Sequence, residues 1–397
     1  MEWLYWLYWL LIFLFFTGSF YLLYIPLPAD ISDRSKLAVA EFLLRLSNEY
    51  LGDLIENVFG AVVRNKVTRF IMGIGFMLPM KPPKGITRTR TRIGGVSCIT
   101  YSIEEKKSDG LLVFIHGGGW CVGEARYYDG ILYQLVEKIG CSAVSIDYRL
   151  APEHPFPAGL DDCTAVVQEL YHNGCPHLEF DKNKILISGD SAGGNLAAVI
   201  CQRLHREKLD FLKGQILIYP VIQVFNFLSC SYQDYWKKYA GTALLNPKHM
   251  ARWILLYLGM EASKENIKKL MNAQHALPEL VNQVDYPRWL YHLKDRKTEK
   301  KIDYELAEKF MKIGTNPDVS PLFGSTEGLP PTLILTAGYD VLGDEGIQYS
   351  EKLKIQQVQT EWHHFPRAFH GLFNMPNSTD RVEMMNVVVN FSKHLLQ

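Results

Sequence analysis

The chain has no excess of charge of either sign: 42 Lys and Arg are balanced by 42 Asp and Glu among 397 residues. A nucleic-acid-binding surface normally brings a basic excess, and an acidic disordered tail brings the reverse, so both classes are excluded. Cysteine is scarce and scattered, at positions 98, 121, 141, 163, 175, 201 and 230, which rules out a disulfide scaffold. Cys141, Cys163 and Cys201 fall in apolar stretches and are expected to be buried thiols; one disulfide of undetermined pairing stays open for an extracytoplasmic body. His363, His364 and His370 have no H-E-x-x-H or C-x-x-C beside them, so no metal site is expected. No G-x-G-x-x-G is present and no Lys or Thr follows the glycine run in P-loop fashion, so no cofactor is expected either. Internal repeats and low-complexity segments are also absent.

Charge is missing most conspicuously between residues 3 and 25, where no charged residue and no histidine occurs. As a helix this stretch spans about 35 Å, enough for a hydrocarbon core of about 30 Å. Eleven of its 23 residues are aromatic. Trp3, Trp6 and Trp9 gather at one end and Tyr21 and Tyr24 at the other, as in interfacial belts. The expectation is an uncleaved signal anchor. The competing reading is a cleaved signal peptide with 4–16 as its apolar stretch and Thr17-Gly18-Ser19 as its cleavage site. That reading lacks a basic start, because Glu2 follows Met1, and the apolar run continues through 20–25. Arg34 and Lys36 after the span, with no cation before it, favour a cytosolic body. The sequons at Asn377 (Asn377-Ser378-Thr379) and Asn390 (Asn390-Phe391-Ser392) are candidate glycosylation positions and favour a luminal one.

Residues 30–100 read as helical and amphipathic, notably 37–46 and 50–63, with a short apolar patch at 70–80 closed by prolines. From about 110 the pattern changes. Strand-length apolar runs at 111–115, 142–146, 184–188, 215–219 and 332–336 alternate with helical patterns at 127–139, 159–171, 192–205 and 346–355. Such alternation implies an α/β fold with a mostly parallel sheet covered on both faces. A last helix is expected near Asp380, where Asp380 and Glu383 have capping-box spacing. Roughly 110 residues between the strands near 220 and 332 are helical in pattern and rich in aromatics: Tyr235, Trp236, Tyr239, Trp253, Tyr257, Trp289 and Tyr291. An inserted helical cap is the expectation, because a structureless loop of that length is improbable.

Three short segments carry chemistry. Gly189-Asp190-Ser191-Ala192-Gly193 is a G-x-S-x-G run between a strand and a helix, the context of a nucleophile elbow. The sharp turn demands small neighbours and would present Ser191 with the Ala192 N–H free to bind an anion. His116-Gly117-Gly118-Gly119-Trp120 follows the 111–115 strand and has the form of an oxyanion-hole loop, with Gly117 and Gly118 as candidate donors. His116 itself is expected to be structural. Asp340 closes the 332–336 strand, and His370 follows thirty residues later, after the strand-like 360–365. Both should reach the sheet edge that carries Ser191, in the chain order Ser, Asp, His. Asp344 and Glu345 are rival acids, expected on the following helix; His363 and His364 read as strand residues.

These segments, with Asp147-Tyr148-Arg149-Leu150-Ala151-Pro152-Glu153 and Ser320-Pro321-Leu322, resemble the hormone-sensitive-lipase group of α/β-hydrolases. The anchor and the run from His116 to Gly123 are most similar to its arylacetamide deacetylase-like branch. The resemblance implies an α/β-hydrolase fold with a helical cap and an N-terminal transmembrane helix. It divides the chain into an anchor (1–26), an N-terminal cap segment with lead-in strands (27–105), a catalytic core (106–220 and 331–397) and an inserted cap (221–330). It implies a single-pass type II protein of the endoplasmic-reticulum membrane with a luminal serine hydrolase acting on apolar esters or amides. Residues 147–152 then form a structural turn behind the oxyanion loop. A non-catalytic binding module or an acyltransferase on the same scaffold are the alternatives.

Overall fold

The computed structural model describes residues 2–23, 25, 27–45, 51–74, 80–238, 245–277 and 301–397. Eight strands form one sheet: β1 (Ile86–Ile93), β2 (Val96–Ile103), β3 (Leu111–Ile115), β4 (Ser142–Ile146), β5 (Ile185–Asp190), β6 (Leu212–Ile218), β7 (Thr332–Tyr339) and β8 (Thr360–Phe369). Their order is β1-β2-β4-β3-β5-β6-β7-β8. The β1–β2 and β2–β4 pairs are antiparallel and all others parallel. The parallel strands are unbroken apolar runs because both of their faces are covered. Along β3, Leu111, Val113 and Ile115 pack with α5 (Ala158–His172), α6 (Ala192–Arg206) and α11 (Gly343–Ile355). Leu112 and Phe114 face α4 (Asp129–Ile139) and α12 (Thr379–Leu396) on the other side.

Two local expectations need correction. Residues 86–103, inside the stretch read as helical, form the β1–β2 hairpin, which supplies the lead-in strands expected within 27–105. Its outer strand, Ile-Thr-Arg-Thr-Arg-Thr-Arg-Ile, has a polar interior, so apolar alternation does not announce it. The cap of α12 is Ser378, whose Oγ accepts from the Arg381 N–H at 3.3 Å. Asp380 sits instead in the first turn, where its carboxylate accepts from the Ser32 hydroxyl.

The N-terminal part holds α1 (Glu2–Leu23), α2 (Arg34–Arg45) and α3 (Gly52–Ile74), the last broken at Gly60, whose φ is 83°. Trp3, Trp6 and Trp9 of α1 are exposed. Among the described residues no helix is long and apolar enough to cross a membrane. Tyr24 and the side chain of Tyr21, expected at the second interface, lie outside the described ones, as do Tyr50 and residues 75–79.

Between β6 and β7 lie α7 (Cys230–Lys238), α8 (Pro247–Tyr257), α9 (Lys264–Met271) and α10 (Tyr304–Gly314). Side-chain caps start three of them: Asn246, Ser263 and Asp303 accept from the N–H groups of His249, Asn266 and Leu306. Of the expected aromatics, Tyr235 and Tyr257 are buried and Trp253 is half-buried; the Trp236 side chain, Tyr239, Trp289 and Tyr291 lie outside the described residues. Ion pairs join α8 to α3 across the sequence gap. Arg252 pairs with Glu56 at 2.5 Å, Lys248 with Asp53 at 3.2 Å, and Arg64 bridges Asp53 and Glu56 at 2.7 and 2.6 Å. The two separated segments therefore act as one covering layer at the carboxyl edge of the sheet.

Candidate active site

Ser191 sits between β5 and α6 with φ 55° and ψ −121°, a conformation that ordinary residues avoid unless the surroundings impose it. The surroundings do so here. A Cβ on Gly189 would lie 2.3 Å from the Gly193 carbonyl oxygen, and one on Gly193 would lie 2.0 Å from that of Ile115. Glycine at both positions lets helix and strand close on the turn. The Ser191 N–H donates to Ile218 O at 2.9 Å, and Val221 N–H donates to Ser191 O at 3.2 Å.

Parallel pairing of β7 with β8 brings Asp340 and His370 to the same edge. His370 Nε2 is 2.9 Å from Ser191 Oγ, and His370 Nδ1 is 2.8 Å from Asp340 Oδ2. The second Asp340 oxygen accepts from the Leu342 N–H at 2.9 Å. A carboxylate only accepts, so the ring proton belongs on Nδ1 and leaves Nε2 to accept from the serine hydroxyl. All three side chains are buried, Asp340 at 1% exposure and His370 at 8%. The structure thus brings together Ser191, Asp340 and His370. The rival acids are engaged elsewhere. Asp344 accepts from the Ser231 N–H at 2.8 Å. Glu345 accepts from Ile222 N–H at 2.9 Å and Gln223 Nε2 at 2.8 Å, and burial pushes its carboxyl up to about 8. His364 Nδ1 lies 3.0 Å from Thr336 Oγ1, and His363 is a strand residue.

The glycine loop corrects one expected donor. Gly117 N–H does not face the serine: it donates to Asp190 Oδ1 at 2.8 Å, with Tyr128 Oη 3.1 Å away. Gly118 and Gly119, with φ of 111° and 57°, carry the turn. Among the described residues, the N–H groups of Gly118, Gly119 and Ala192 have no hydrogen-bond partner. These three, and not Gly117, are the candidate anion donors; Gly119 was absent from the expectation although the same triple-glycine run contains it. A Cβ on Gly119 would lie 2.4 Å from the Trp253 ring, so the covering layer rests directly on this loop. Trp120 stacks on Tyr257 of the same layer at 4.3 Å.

Behind the loop, His116 stacks on Tyr148 at 4.4 Å, and Tyr148 Oη donates to His116 O at 2.9 Å. Burial lowers the His116 pKa and keeps the imidazole neutral. Ala151 N–H donates to Trp120 O at 2.9 Å. Residues 147–152 therefore buttress the loop.

Two supports escaped sequence reasoning. Asp190 gathers three segments: besides Gly117 N–H it accepts from Tyr128 Oη at 3.1 Å and Asn374 Nδ2 at 3.2 Å. Burial pushes its carboxyl up to about 6 against the opposing pull of these donors. A carboxylate at the end of a fully buried strand was the available signal. The second support is α3, where Arg69 Nε and Nη2 donate to Cys121 O at 2.7 Å and Ala151 O at 2.6 Å, and Asn65 Nδ2 reaches Cys121 O at 3.2 Å. Nothing in the local pattern ties a helix at 52–74 to a loop at 121. All seven cysteines are free thiols, six of them buried. Among the described residues no cluster of His, Cys, Asp or Glu could hold a metal ion.

Comparison with known proteins agrees with this geometry. A family profile described as the alpha/beta hydrolase fold matches residues 112–290 and 292–374. Arylacetamide deacetylase of Rattus norvegicus is 30% identical over 400 residues, covering 94% of this chain and 95% of that protein. Neutral cholesterol ester hydrolase 1 of Rattus norvegicus is 31% identical over 380 residues, covering 88% and 89%. Among solved structures, a hyperthermophilic esterase from Pyrobaculum calidifontis superposes with a TM-score of 0.65 at 23% identity, over 87% of this chain and 97% of that one, a likeness of fold. With the strand order, the elbow and these matches in agreement, the chain belongs to the α/β-hydrolase family, in the arylacetamide deacetylase-like branch of its hormone-sensitive-lipase group.

Proposed function

We propose that the protein is a serine hydrolase of carboxylic esters or amides, and the observation that carries this reading is the unbroken contact chain Ser191–His370–Asp340 at 2.9 and 2.8 Å. His370 Nε2 takes the Ser191 proton as Oγ attacks the acyl carbonyl. Asp340 holds the tautomer and stabilises the imidazolium that forms. The carbonyl oxygen becomes an oxyanion held by Gly118, Gly119 and Ala192 amides. His370 then protonates the leaving alcohol or amine, and an acyl-serine remains. Water, deprotonated by the same imidazole, releases the acid and restores Ser191.

Apolar substrates are the class proposed. Relatives named for arylacetamides and for neutral cholesterol esters support it. So does the aromatic layer of Trp253 and Tyr257, which rests on Gly119 and Trp120 of the glycine loop. In this reading the uncharged stretch 3–25 anchors the chain as a single-pass type II protein of the endoplasmic-reticulum membrane, with the catalytic body in the lumen. Support comes from the exposed tryptophans of α1 and from the exposed sequon residues Asn377 and Asn390. The test is turnover of a panel of lipid esters and arylacetamides by the purified full chain. Hydrolysis abolished by His370→Ala supports the proposal; hydrolysis that survives in that variant refutes the triad. A shift on glycosidase treatment, lost in the double variant Asn377→Gln/Asn390→Gln, is the expected sign of a luminal body, and its absence speaks against it.

A further inference from the structure

The polarity of α3 is inverted. Its buried residues include Arg64, Asn65 and Thr68, which turn toward the protein and in part hold Asp53, Glu56 and the oxyanion loop. Its outer side presents Leu54, Val58, Phe59, Val62, Phe70 and Ile74, with Phe59 at 66% and Phe70 at 63% exposure. Val39 and Leu43 of α2 are exposed as well. Scattered exposed apolar residues are ordinary, but a helix with polar groups inward and large apolar groups outward is built for a non-aqueous contact.

The chain itself indicates what covers this face. Leu27 is buried in the body and only three residues separate it from the end of α1 at Leu23, so at most about 14 Å, four extended steps, lies between that helix end and the body surface. The exit point lies at the catalytic edge. Tyr339 Oη donates to Asp30 at 2.5 Å, and Ser32 N–H donates to Arg367 O at 2.9 Å. Tyr339 directly precedes Asp340. Another fixed point of the N-terminal segment, Arg69 on Cys121 O, is at that same edge. A short tether and an outward apolar helix therefore share the edge at which Ser191 sits.

We propose that the outer faces of α2 and α3 form a bilayer-docking surface that seats the carboxyl edge of the sheet against the lipid from which apolar substrate is drawn. The proposal rests on the membrane-anchored reading of residues 3–25 and goes beyond it. One helix then has two jobs: its outer face meets acyl chains, and its inner face positions the oxyanion loop through Arg69 and Asn65.

The full chain, reconstituted in phosphatidylcholine vesicles, tests this. A nitrobenzoxadiazole label is placed at Phe59→Cys or, as reference, at Lys213→Cys, at the start of β6 on the opposite edge, each in a Cys230→Ser background. Doxyl-labelled lipid should quench the label at 59 at least threefold and leave that at 213 unchanged. Equal quenching at both positions, or none at 59, overturns the docking surface. Energy transfer between labelled chains at high lipid excess also overturns it, because the face would then be covered by a second copy. Alkaline extraction of the same vesicles reports separately on the anchor, so a chain that resists extraction with an unquenched label at 59 refutes docking alone. As a kinetic counterpart, the triple variant Val58→Glu/Phe59→Glu/Val62→Glu should lose at least tenfold in kcat/KM on a long-chain ester dissolved in the vesicles. It should stay within twofold on a soluble short-chain ester. Equal effects on the two substrates contradict the proposal.

Discussion

Replacing Asp190 by Asn separates activity from stability. The carboxylate holds Gly117 N–H, Tyr128 Oη and Asn374 Nδ2, so it fixes the glycine loop to the elbow and to the segment after His370. Asn keeps one acceptor oxygen for Gly117, but its NH2 replaces the oxygen that accepts from both Tyr128 Oη and Asn374 Nδ2; the tyrosine hydroxyl can turn to accept, whereas the Asn374 NH2 is left facing a donor. One charge-assisted hydrogen bond is lost, about 1.5–3 kcal/mol. If that loss falls on the position of Gly118 and Gly119 in the transition state, kcat drops roughly ten- to a hundredfold. Stability follows a different rule. The folded pKa is raised from 3.8 to about 6, so the folded state holds a proton that the unfolded chain has released between those values. Wild-type stability from this group is full below pH 4 and declines as pH rises through 6, by about 3 kcal/mol. Asn carries no such penalty, which offsets the lost hydrogen bond at neutral pH. The assay is hydrolysis of a short-chain nitrophenyl ester alongside thermal unfolding between pH 4 and 8. The expected result is a ten- to hundredfold lower kcat with KM within threefold and a thermal midpoint within a few degrees at pH 7. Wild-type kcat in a folded variant would refute the clamp.

Other consequences are open to direct measurement. Glu345 has its folded pKa raised to about 8, so its contribution to stability is present below about 4.5 and is lost as pH rises through 8. Glu345→Gln should therefore unfold at a higher temperature relative to wild type at pH 9 than at pH 5, read by calorimetry. Ser378→Ala removes the cap of α12 and should lower stability by about 1 kcal/mol in urea titration, with kcat unchanged. Gly193→Ala forces a Cβ to 2.0 Å from Ile115 O, and should lower stability by more than about 2 kcal/mol and displace Ser191. Soluble yield and esterase activity should fall together.

The sequence made the catalytic half of the molecule legible because the constraints there are local. Gly189, Ala192 and Gly193 are small because strand and helix meet at the turn, and β3 and β4 are apolar throughout because both faces are covered. Asp340 and His370 could be placed because parallel strands put successive strand ends on one edge. What stayed hidden depends on contacts between distant segments. Gly117 looked like an oxyanion donor until Asp190, 73 residues away, claimed its N–H. Strand β1 alternates Thr and Arg at a sheet edge, where water and ion pairs replace the apolar signal. The bond from Arg69 to Cys121 spans 52 residues and leaves no periodic trace.

The central claim is that Ser191 is the nucleophile. Mass spectrometry of the full chain after reaction with a fluorophosphonate measures it most directly. The account predicts one adduct per chain, on the peptide containing Ser191, absent in Ser191→Ala and sharply slowed in His370→Ala. An adduct on any other residue, or labelling that persists in Ser191→Ala, would contradict it.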